Sequence, residues 1–354
     1  MNDLRKTLEI STSPHIASGR SVEDIMRNVV WALLPATAFA IYAFGIGALL
    51  TLSVATLTCV ATEHLLCRGG GRRSTVGDWS AVVTGLLYGL TLPPGLPLWM
   101  VVGGGVVALA LGKYLFGGLG YNAFNPALVG RAFLQAAFPA AMTTWTPALA
   151  PERFQVLPSS TLTLPFMTPD YSLTAADGVT GATPLALMKF DQQPTGTYDL
   201  AFGFTGGSMG ETCGVLILLG GIWLVARKMM NWRIPAAIFG TVIILSALFN
   251  GLDPARYPGP WFTLFSGGLM LGAVFMATDM VASPMTSLGV VIYGIVIGAL
   301  IIVIRFWGGM PEGVMYAILL GNALSPHIDA LTQPRVFGYK SGLKSERYHE
   351  DYRQ

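Results

Sequence analysis

Long apolar runs separated by short polar connections fill most of the chain. Four runs precede a short helical stretch that ends near residue 138, and five more follow residue 210. The runs cover residues 29–44, 48–66, 79–92, 98–116, 213–226, 234–249, 261–277, 288–304 and 313–324. Several are shorter than the roughly 20 residues that a straight transmembrane helix needs, so we expect some to be tilted or discontinuous. The pattern predicts an all-α polytopic membrane protein with about ten transmembrane elements.

One long polar segment divides the apolar pattern into two parts. We predict an N-terminal tail over residues 1–28, a first membrane repeat over 29–138, the polar segment over 139–210, a second membrane repeat over 211–326 and a C-terminal tail over 327–354. Composition agrees with this organisation, because 53% of the residues are hydrophobic and only 11% are charged. The net charge of +2 offers nothing to nucleic acid, whose recognition needs a strongly basic surface.

Lysine and arginine lie mainly on one side of the predicted membrane. The residues assigned to the cytoplasmic side are Arg5, Lys6, Arg20, Arg27, Arg68, Arg72, Arg73, Lys113, Arg227, Lys228, Arg233, Arg335, Lys340, Lys344, Arg347 and Arg353. The opposite side has only Arg153, Lys189, Arg256 and Arg305, and Arg131 is left unassigned. Under the positive-inside rule, both termini are expected in the cytoplasm and the polar segment outside the membrane.

Similar glycine patterns occur in the two membrane parts. Residues 85–89 correspond to 268–272, and residues 116–118 with Gly130 correspond to residues 307–309 with Gly321 at the same spacing. Five crossings in each copy would place the copies in opposite orientations, which predicts two inverted repeats of five elements. The alternative is a chance likeness between glycine-rich membrane helices.

Residues 177–189 are the candidate functional stretch of the polar segment. Pro184 suits the first position of a helix, which would make Thr183 its N-cap. Unpaired N–H groups converge at such a terminus and can hold a phosphate, and Lys189 could help to neutralise it or lie in solvent. An ordinary capped helix is the simpler interpretation of Thr-Pro.

Cysteine chemistry is not indicated by the sequence. Cys59, Cys67 and Cys213 have neither Cys-x-x-Cys nor Cys/His spacing, which argues against an iron–sulfur or zinc site held by this chain alone. No dinucleotide-binding fingerprint is present either. On these features alone, a small-solute channel or secondary transporter is a strong interpretation, because broken helices and inverted repeats are typical of transporters. A structural membrane subunit without a cofactor is a further alternative.

Several motifs together resemble the family that contains the D subunits of Rnf complexes. They are Ser13-Pro14-His15 with Arg20-Ser21 and Met26; Asp78 with Thr91-Leu92-Pro93-Pro94; residues 117–127; Thr180-Gly181-Ala182-Thr183-Pro184-Leu185; Met276-Ala277-Thr278-Asp279 with Ser283-Pro284; and Pro334-Arg335-Val336-Phe337-Gly338. Rnf complexes are membrane ferredoxin:NAD oxidoreductases that couple electron flow to ion transport. The B subunit of the sodium-pumping NADH:quinone reductase is a close relative. It typically has a longer N-terminal extension than this chain, which favours the Rnf protein.

The resemblance implies that FMN is attached to Thr183 through a phosphoester bond. The attachment pattern of the family is Ser/Thr-Gly-Ala-Thr, and Thr180, Gly181 and Ala182 occupy its first three positions here. A threonine hydroxyl on a turn of small residues is accessible to a flavin transferase. The start of a helix also accommodates a negatively charged phosphate.

A second flavin, non-covalent riboflavin, is also implied by the resemblance. Asn122 and Asn125 are the candidate ligands, because their amides could hydrogen-bond the ring from a broken helix. The alternative is that they cap the short helix that begins at Pro126.

Three acidic residues beside or inside apolar runs are candidates for an ion pathway. Glu63, Asp78 and Asp279 occupy positions where ionisable groups are costly and often functional. Asp279 could equally begin a loop at the membrane interface.

Taken with the resemblance, these features predict an electron-carrying membrane subunit of a redox-driven translocase for Na⁺ or H⁺. The expected location is the bacterial inner membrane. The implied partners are the A, B, C, E and G subunits of the complex and, during maturation, a flavin transferase. NADH and iron–sulfur chemistry would then belong to partner subunits, and this chain would position the flavin and tune its surroundings.

Overall fold

The structure is a computed structural model that describes residues 21–71, 74–165, 167, 183–193, 195–254 and 256–334. All regular secondary structure within these ranges is helical, and no strand occurs there. The prediction of an all-α chain is therefore confirmed for the described part. Residues 1–20 and 335–354 of the predicted tails lie outside the described residues.

Two long helices open the described chain. Helix α1 spans Val22–Phe44 and α2 spans Ile46–Gly69. A reciprocal capping interaction fixes the start of α1, because the Asp24 N–H donates to Ser21 Oγ at 3.1 Å and the Ser21 hydroxyl donates to Asp24 Oδ2 at 2.9 Å. The apolar run predicted from residue 29 is thus preceded by two polar helical turns.

Shorter helices complete the first half of the chain. They are α3 (Ser80–Leu90), α4 (Leu98–Leu109), a π-helical turn that continues α4 (Ala110–Tyr114), α5 (Pro126–Ala137) and α6 (Pro139–Met142), with a 3₁₀ turn at Val76–Asp78. Prolines 93, 94 and 97 lie in the connection between α3 and α4, where they cannot extend a helix. This break is consistent with the expectation of shortened membrane elements.

The polar segment contributes only short helices to the described part. Helix α7 (Pro184–Ala186) continues as a π-helical turn (Leu187–Asp191) and is followed by α8 (Thr197–Phe202) and a 3₁₀ turn (Met209–Glu211). Each brings side chains against the second half of the chain.

The second half contains six helices in the described ranges. They are α9 (Gly214–Ala226), α10 (Arg233–Leu252), α11 (Pro260–Phe265), α12 (Leu269–Leu271, continued by a π-helical turn at Gly272–Met276), α13 (Ser287–Trp307) and α14 (Val314–Thr332). The apolar run predicted over 261–277 is discontinuous, since the backbone is extended at Ser266 and has a positive φ of 64° at Gly267. The expectation of broken elements is confirmed at this position.

Four helices of the described part are long and apolar enough to cross a membrane: α1, α2, α10 and α13. Shorter apolar helices are α3, α4 with its π-helical turn, and α9. Helix α2 packs on α3 and α4, α4 packs on α5, and α13 packs on α10 and α14. The two halves meet where α1 contacts α9 and where α5 contacts α14.

Glycines allow the helices α10 and α13 to approach closely. A Cβ atom at Gly294 would lie 2.5 Å from Ala237 Cβ and 3.1 Å from the Ile234 carbonyl oxygen. Gly294→Ala should therefore lower the free energy of unfolding by about 1–3 kcal/mol through overpacking. Thermal unfolding of the purified protein in detergent measures this change. Gly240→Ala on α10 is the control, because a Cβ there meets no atom within 4 Å. Equal stability of the two variants would contradict this packing.

Candidate functional site

Thr183 is the N-cap of α7, as the sequence predicts. Its backbone is extended, Pro184 takes the first helical position, and Thr183 Oγ1 accepts a hydrogen bond from the Ala186 N–H at 3.3 Å. The residue is buried, with 7% of its surface exposed. Of the attachment motif, Thr180, Gly181 and Ala182 lie outside the described residues, and their assignment stays a prediction.

Apolar and polar contacts hold the Thr183 helix against the second half of the chain. Leu185 and Met188 form a small buried cluster with Leu200 and Phe262. The Lys189 ammonium donates to the carbonyl oxygens of Gly308 at 2.6 Å and Met310 at 2.9 Å, just beyond the C-terminal end of α13. The Lys189 ammonium thus caps the C-terminal end of α13, where a cation interacts favourably with the helix dipole. This contact accounts for its charge without a phosphate.

Asn122 and Asn125 have different roles. Asn125 caps α5, because its Oδ1 accepts from the N–H groups of Ala127 at 3.0 Å and Leu128 at 3.4 Å. Asn122 does not cap this helix. Its Nδ2 donates to Asp279 Oδ2 at 3.2 Å, across 157 residues of sequence. The capping alternative therefore holds for Asn125 alone. Asn122 is instead hydrogen-bonded to Asp279, which the sequence analysis considered only as a candidate for the ion pathway.

Glu63 and Asp78 belong to one hydrogen-bonded network centred on the buried Lys113. The Lys113 ammonium lies 2.7 Å from Glu63 Oε1 and 2.6 Å from Ser80 Oγ. The Ser80 hydroxyl in turn donates to Asp78 Oδ1, and the Thr75 hydroxyl donates to Glu63 Oε1. Sequence reasoning used Lys113 only to assign sidedness, because its partner Glu63 is 50 residues away.

A cavity of about 790 Å³, part of it open to the outside, lies beside this network. Ser80 and Lys113 line it from the first half of the chain, and Asp279 lines it from the second. Asn122 and Asn125 also contribute to its wall. Amide, hydroxyl, ammonium and carboxylate groups therefore face one apolar-walled space, which is the usual composition of a small-molecule site.

A second charged cluster was missed by the sequence analysis. Arg131 on α5 forms a salt bridge of 2.9 Å with Glu312, which precedes α14. Glu312 Oε1 also accepts from the Gly268 N–H at 2.6 Å, and Glu312 shares a hydrogen bond with Glu211. Arg305 at the end of α13 lies nearby and acts electrostatically on Glu312. The sequence feature that could have indicated this cluster is an acidic residue next to a glycine just before an apolar run. It occurs twice, as Gly210-Glu211 and as Glu312-Gly313.

Comparison with known proteins decides the family. The family described as NQR2, RnfD, RnfE matches residues 9–338. The chain belongs to this family. It is 44% identical over 338 residues to the D subunit of an ion-translocating oxidoreductase complex from Stutzerimonas stutzeri, covering 90% of this chain and 92% of the relative.

Two further relatives in this family are similar over nearly their whole length. The D subunit of the Na(+)-translocating ferredoxin:NAD(+) oxidoreductase complex of Acetobacterium woodii is 42% identical, covering 96% of this chain and 97% of the relative. The D subunit of the proton-translocating ferredoxin:NAD(+) oxidoreductase complex of Clostridium ljungdahlii is 41% identical, covering 93% and 96%. Their names agree with the Rnf resemblance seen in the motifs.

The Glu211–Glu312 pair should make the free energy of unfolding of this protein depend on pH. Both residues lie in connections outside the candidate spans. Burial and the Glu312 carboxylate raise the pKa of Glu211 to about 8. Burial alone would also raise the pKa of Glu312, but Arg131 and Arg305 hold it below its ordinary value. One carboxyl is thus protonated near neutral pH while the other is ionised.

Raising the pH from 7 to 9 should destabilise the protein through Glu211. The pKa of Glu211 is higher in the folded state than in the unfolded state, where it is about 4.3. Its contribution to the free energy of unfolding is therefore fully present below the unfolded pKa and is lost as the pH rises through the folded pKa. Thermal unfolding in detergent should show a lower midpoint at pH 9 and a weaker pH dependence in Glu211→Gln. Glu152→Gln, at an exposed position, should keep the wild-type slope. An unchanged slope in Glu211→Gln would contradict the assignment.

Proposed function

We propose that the chain is a membrane-embedded, electron-carrying subunit of an ion-translocating oxidoreductase complex, equivalent to the D subunits that are its relatives. The observation that carries this proposal is the identity of 41–44% over at least nine-tenths of the chain to relatives named in this way. The NADH and ferredoxin reactions would then be performed by other subunits of the complex. This chain would hold flavins and contribute to the ion path.

The proposed topology has about ten transmembrane elements in two inverted repeats of five. Support comes from the similar order of helices in the two halves. A long helix (α2 or α10) precedes a shorter apolar stretch (α3 in the first half, α11 with α12 in the second). Another apolar helix follows (α4 with its π-helical turn, or α13), and then α5 or α14. The glycine spacing of the sequence repeats in register with that order. Both termini would be cytoplasmic and the segment over residues 139–210 extracytoplasmic, in keeping with the distribution of basic residues.

Covalent FMN on Thr183 is the proposed electron carrier of the polar segment. The residues fit this group, because the threonine hydroxyl is at a helix start and the Ala186 N–H points to it. A phosphate attached there would receive the same N–H and the positive end of the helix. The bound flavin would accept and donate electrons, and the chain would hold its phosphate and exclude water from its surroundings.

A second, non-covalent flavin is proposed for the cavity between the halves. Lys113 has a third ammonium hydrogen for a ring carbonyl, and the Asn122 amide oxygen can accept from a ring N–H. Phe275 and Met280 offer apolar surface. Asn125 is committed to its helix cap through Oδ1, while its Nδ2 donates to the Met276 carbonyl oxygen at 3.3 Å. Asn122 is therefore the better candidate of the two asparagines for a ligand contact.

Asn122→Leu should weaken binding of this second flavin roughly tenfold or more, since a buried polar group left without its partner costs about 1–3 kcal/mol. The flavin released by acid from the purified protein measures the loss. Asn250→Leu is a control, because Asn250 donates to the Tyr257 carbonyl oxygen away from this cavity. The covalent flavin should be unchanged in both variants. Equal release from Asn122→Leu and wild type would remove Asn122 from the site.

The proposed ion path passes Glu63, Asp78 and Asp279. Asp279 lines the cavity between the halves, and Glu63 and Asp78 belong to the Lys113 network beside it. The Oε2 atom of buried Glu63 has no hydrogen-bond partner among the described residues. A carboxylate oxygen in that position suits a proton or a sodium ion. Similar relatives are named for either ion, so the proposal specifies a monovalent cation.

The decisive experiment is expression of the full chain together with a flavin transferase, followed by a denaturing gel. We expect flavin fluorescence in the band of this 37.7 kDa chain and a flavin phosphate on the peptide that carries Thr183. Acid should release a second flavin. A dark band from cells whose transferase modifies another known substrate would overturn the flavoprotein assignment.

A further inference from the structure

A second cavity lies beside the Thr183 helix, outside the space between the two halves. Its volume is about 810 Å³, including the part open to solvent. Leu185 and Lys189 line it from α7 and its π-helical turn, and Arg305 and Phe306 line it from the end of α13. Tyr257, just before α11, contributes a further wall. None of these residues lines the cavity between the halves.

The walls of this cavity are aromatic, and one of its groups is a buried cation. The rings of Tyr257 and Phe306 are 4.9 Å apart at an angle of 40°, and Phe262 adds a third ring to the lining. Aromatic faces beside a guanidinium form a suitable surface for a planar conjugated ring with a polar edge. A hydrated ion or a flexible solute would gain little from such walls.

Arg305 is fixed in place by two hydrogen bonds and keeps further N–H groups that no described residue accepts. Its residue is 4% exposed, and its two terminal nitrogens donate to the carbonyl oxygens of Thr263 at 2.6 Å and Ser266 at 2.8 Å. Its Nε has no hydrogen-bond partner among the described residues. Buried donors are nearly always paired in folded proteins. The Nε atom is enclosed by protein, but each terminal nitrogen has a second N–H that no described residue accepts. Because Arg305 lines the cavity, these N–H groups are the donors that it offers to a ligand acceptor.

The charge of Arg305 is not cancelled by a direct ion pair within the described part of the chain. The nearby Glu312 carboxylate is engaged by Arg131 at 2.9 Å and by the Gly268 N–H. Lys189 is committed to carbonyl oxygens at the end of α13. Arg305 is thus the buried cationic group that this cavity offers to a ligand.

The cavity begins close to Thr183. A Cβ atom at Gly267 would lie 2.6 Å from Leu185 Cδ1 and 3.1 Å from Arg305 Nη2. Leu185 and Arg305 therefore both lie next to Gly267. Leu185 follows Thr183 by two residues, which is roughly 3 Å along a helix at 1.5 Å per residue. The phosphate and five-carbon ribityl chain of FMN are long enough to cover this interval.

We infer that this cavity holds the isoalloxazine ring of the flavin on Thr183, with Arg305 donating to the polar pyrimidine edge of the ring. The inference rests on the flavin attachment proposed above. When a reductant adds electrons to the ring, negative charge accumulates at that edge, and a fixed guanidinium stabilises it without reorganisation. Arg305 would therefore raise the reduction potential of this flavin, while the aromatic walls exclude water.

Arg305→Gln tests the inference in the full chain carrying its covalent flavin. The reduction potential, measured by dithionite titration at fixed pH, should fall by an amount equivalent to about a tenfold weaker preference for the reduced form, or ~30 mV for a two-electron step. Arg227→Gln is the matched control, because Arg227 ends α9 and lies over Trp223 at 4.6 Å, outside the cavity lining. Its potential should equal that of wild type.

Tyr257→Leu provides a second readout should loss of Arg305 prevent folding. A phenol beside a flavin quenches its fluorescence, so native Tyr257→Leu should be several-fold brighter than wild type, and unfolding should abolish the difference. Suppose that both variants carry covalent flavin, that Arg305→Gln has the wild-type reduction potential, and that native Tyr257→Leu is no brighter than wild type. The proposed position of the ring would then be wrong, while the attachment to Thr183 would stand. A wild-type chain without covalent flavin would instead overturn the attachment to Thr183 and this inference with it.

Discussion

Replacing Thr183 with alanine should abolish covalently bound flavin. A phosphoester needs a hydroxyl, and alanine offers none. The fold should survive, since loss of an N-cap costs about 0.5–2 kcal/mol and α7 is a short element of a large helical chain. Flavin fluorescence on a denaturing gel gives the result directly. The acid-released flavin of the cavity between the halves should remain at its wild-type amount.

Two conservative variants separate the capping role of Thr183 from its proposed attachment role. Thr183→Ser keeps both the hydroxyl and the cap, so it should retain covalent flavin. Thr183→Asn keeps a good N-cap side chain but has no hydroxyl, so it should lose the flavin while thermal stability stays near wild type. Fluorescence that persists in Thr183→Asn or Thr183→Ala would place the attachment on another residue.

Local features were predictable because their causes are local. A threonine or asparagine followed by proline specifies a helix start, and the caps at Thr183 and Asn125 occur as this rule predicts. The break within residues 261–277 also has a local cause, since Ser266-Gly267-Gly268 cannot propagate a helix as easily as its apolar neighbours. The helical class follows from run length and apolar composition in the same way.

Contacts between distant residues were not predictable from one sequence. Asn122 meets Asp279 across 157 residues, and Arg131 meets Glu312 across 181. Asn122, Asp279 and Glu312 alone look like polar residues at helix connections, for which solvent is the usual expectation, and Arg131 alone looks like a charged residue on a short helix. Only the packing of α5 against α14 and the break before α12 brings these groups together. Burial, which makes the pairing necessary, is itself a property of the assembled fold.

The buried Glu63–Lys113 pair should have the largest effect on stability of any ion pair in the described part of the chain. The two side chains are 4% and 5% exposed and their charged atoms are 2.7 Å apart. Glu63→Gln would leave the Lys113 ammonium buried with the Ser80 hydroxyl and no carboxylate. Removing one partner of a buried pair typically costs about 3–5 kcal/mol, whereas replacing both by uncharged groups is often nearly neutral. Glu63→Gln should therefore be strongly destabilised, and the double variant with Lys113→Met should regain most of the loss.

Thermal unfolding of wild type, both single variants and the double variant in one detergent gives the coupling free energy between Glu63 and Lys113. The exposed pair Arg27–Asp24, whose side chains are 49% and 45% exposed, is the control, and Arg27→Gln should change the unfolding midpoint only slightly. The contrast isolates burial as the cause, because the charged atoms of the exposed pair are 2.6 Å apart and so at least as close. A Glu63→Gln variant as stable as Arg27→Gln would mean that water reaches Lys113. The network would then be a hydrated part of the cavity wall and not a closed ion pair.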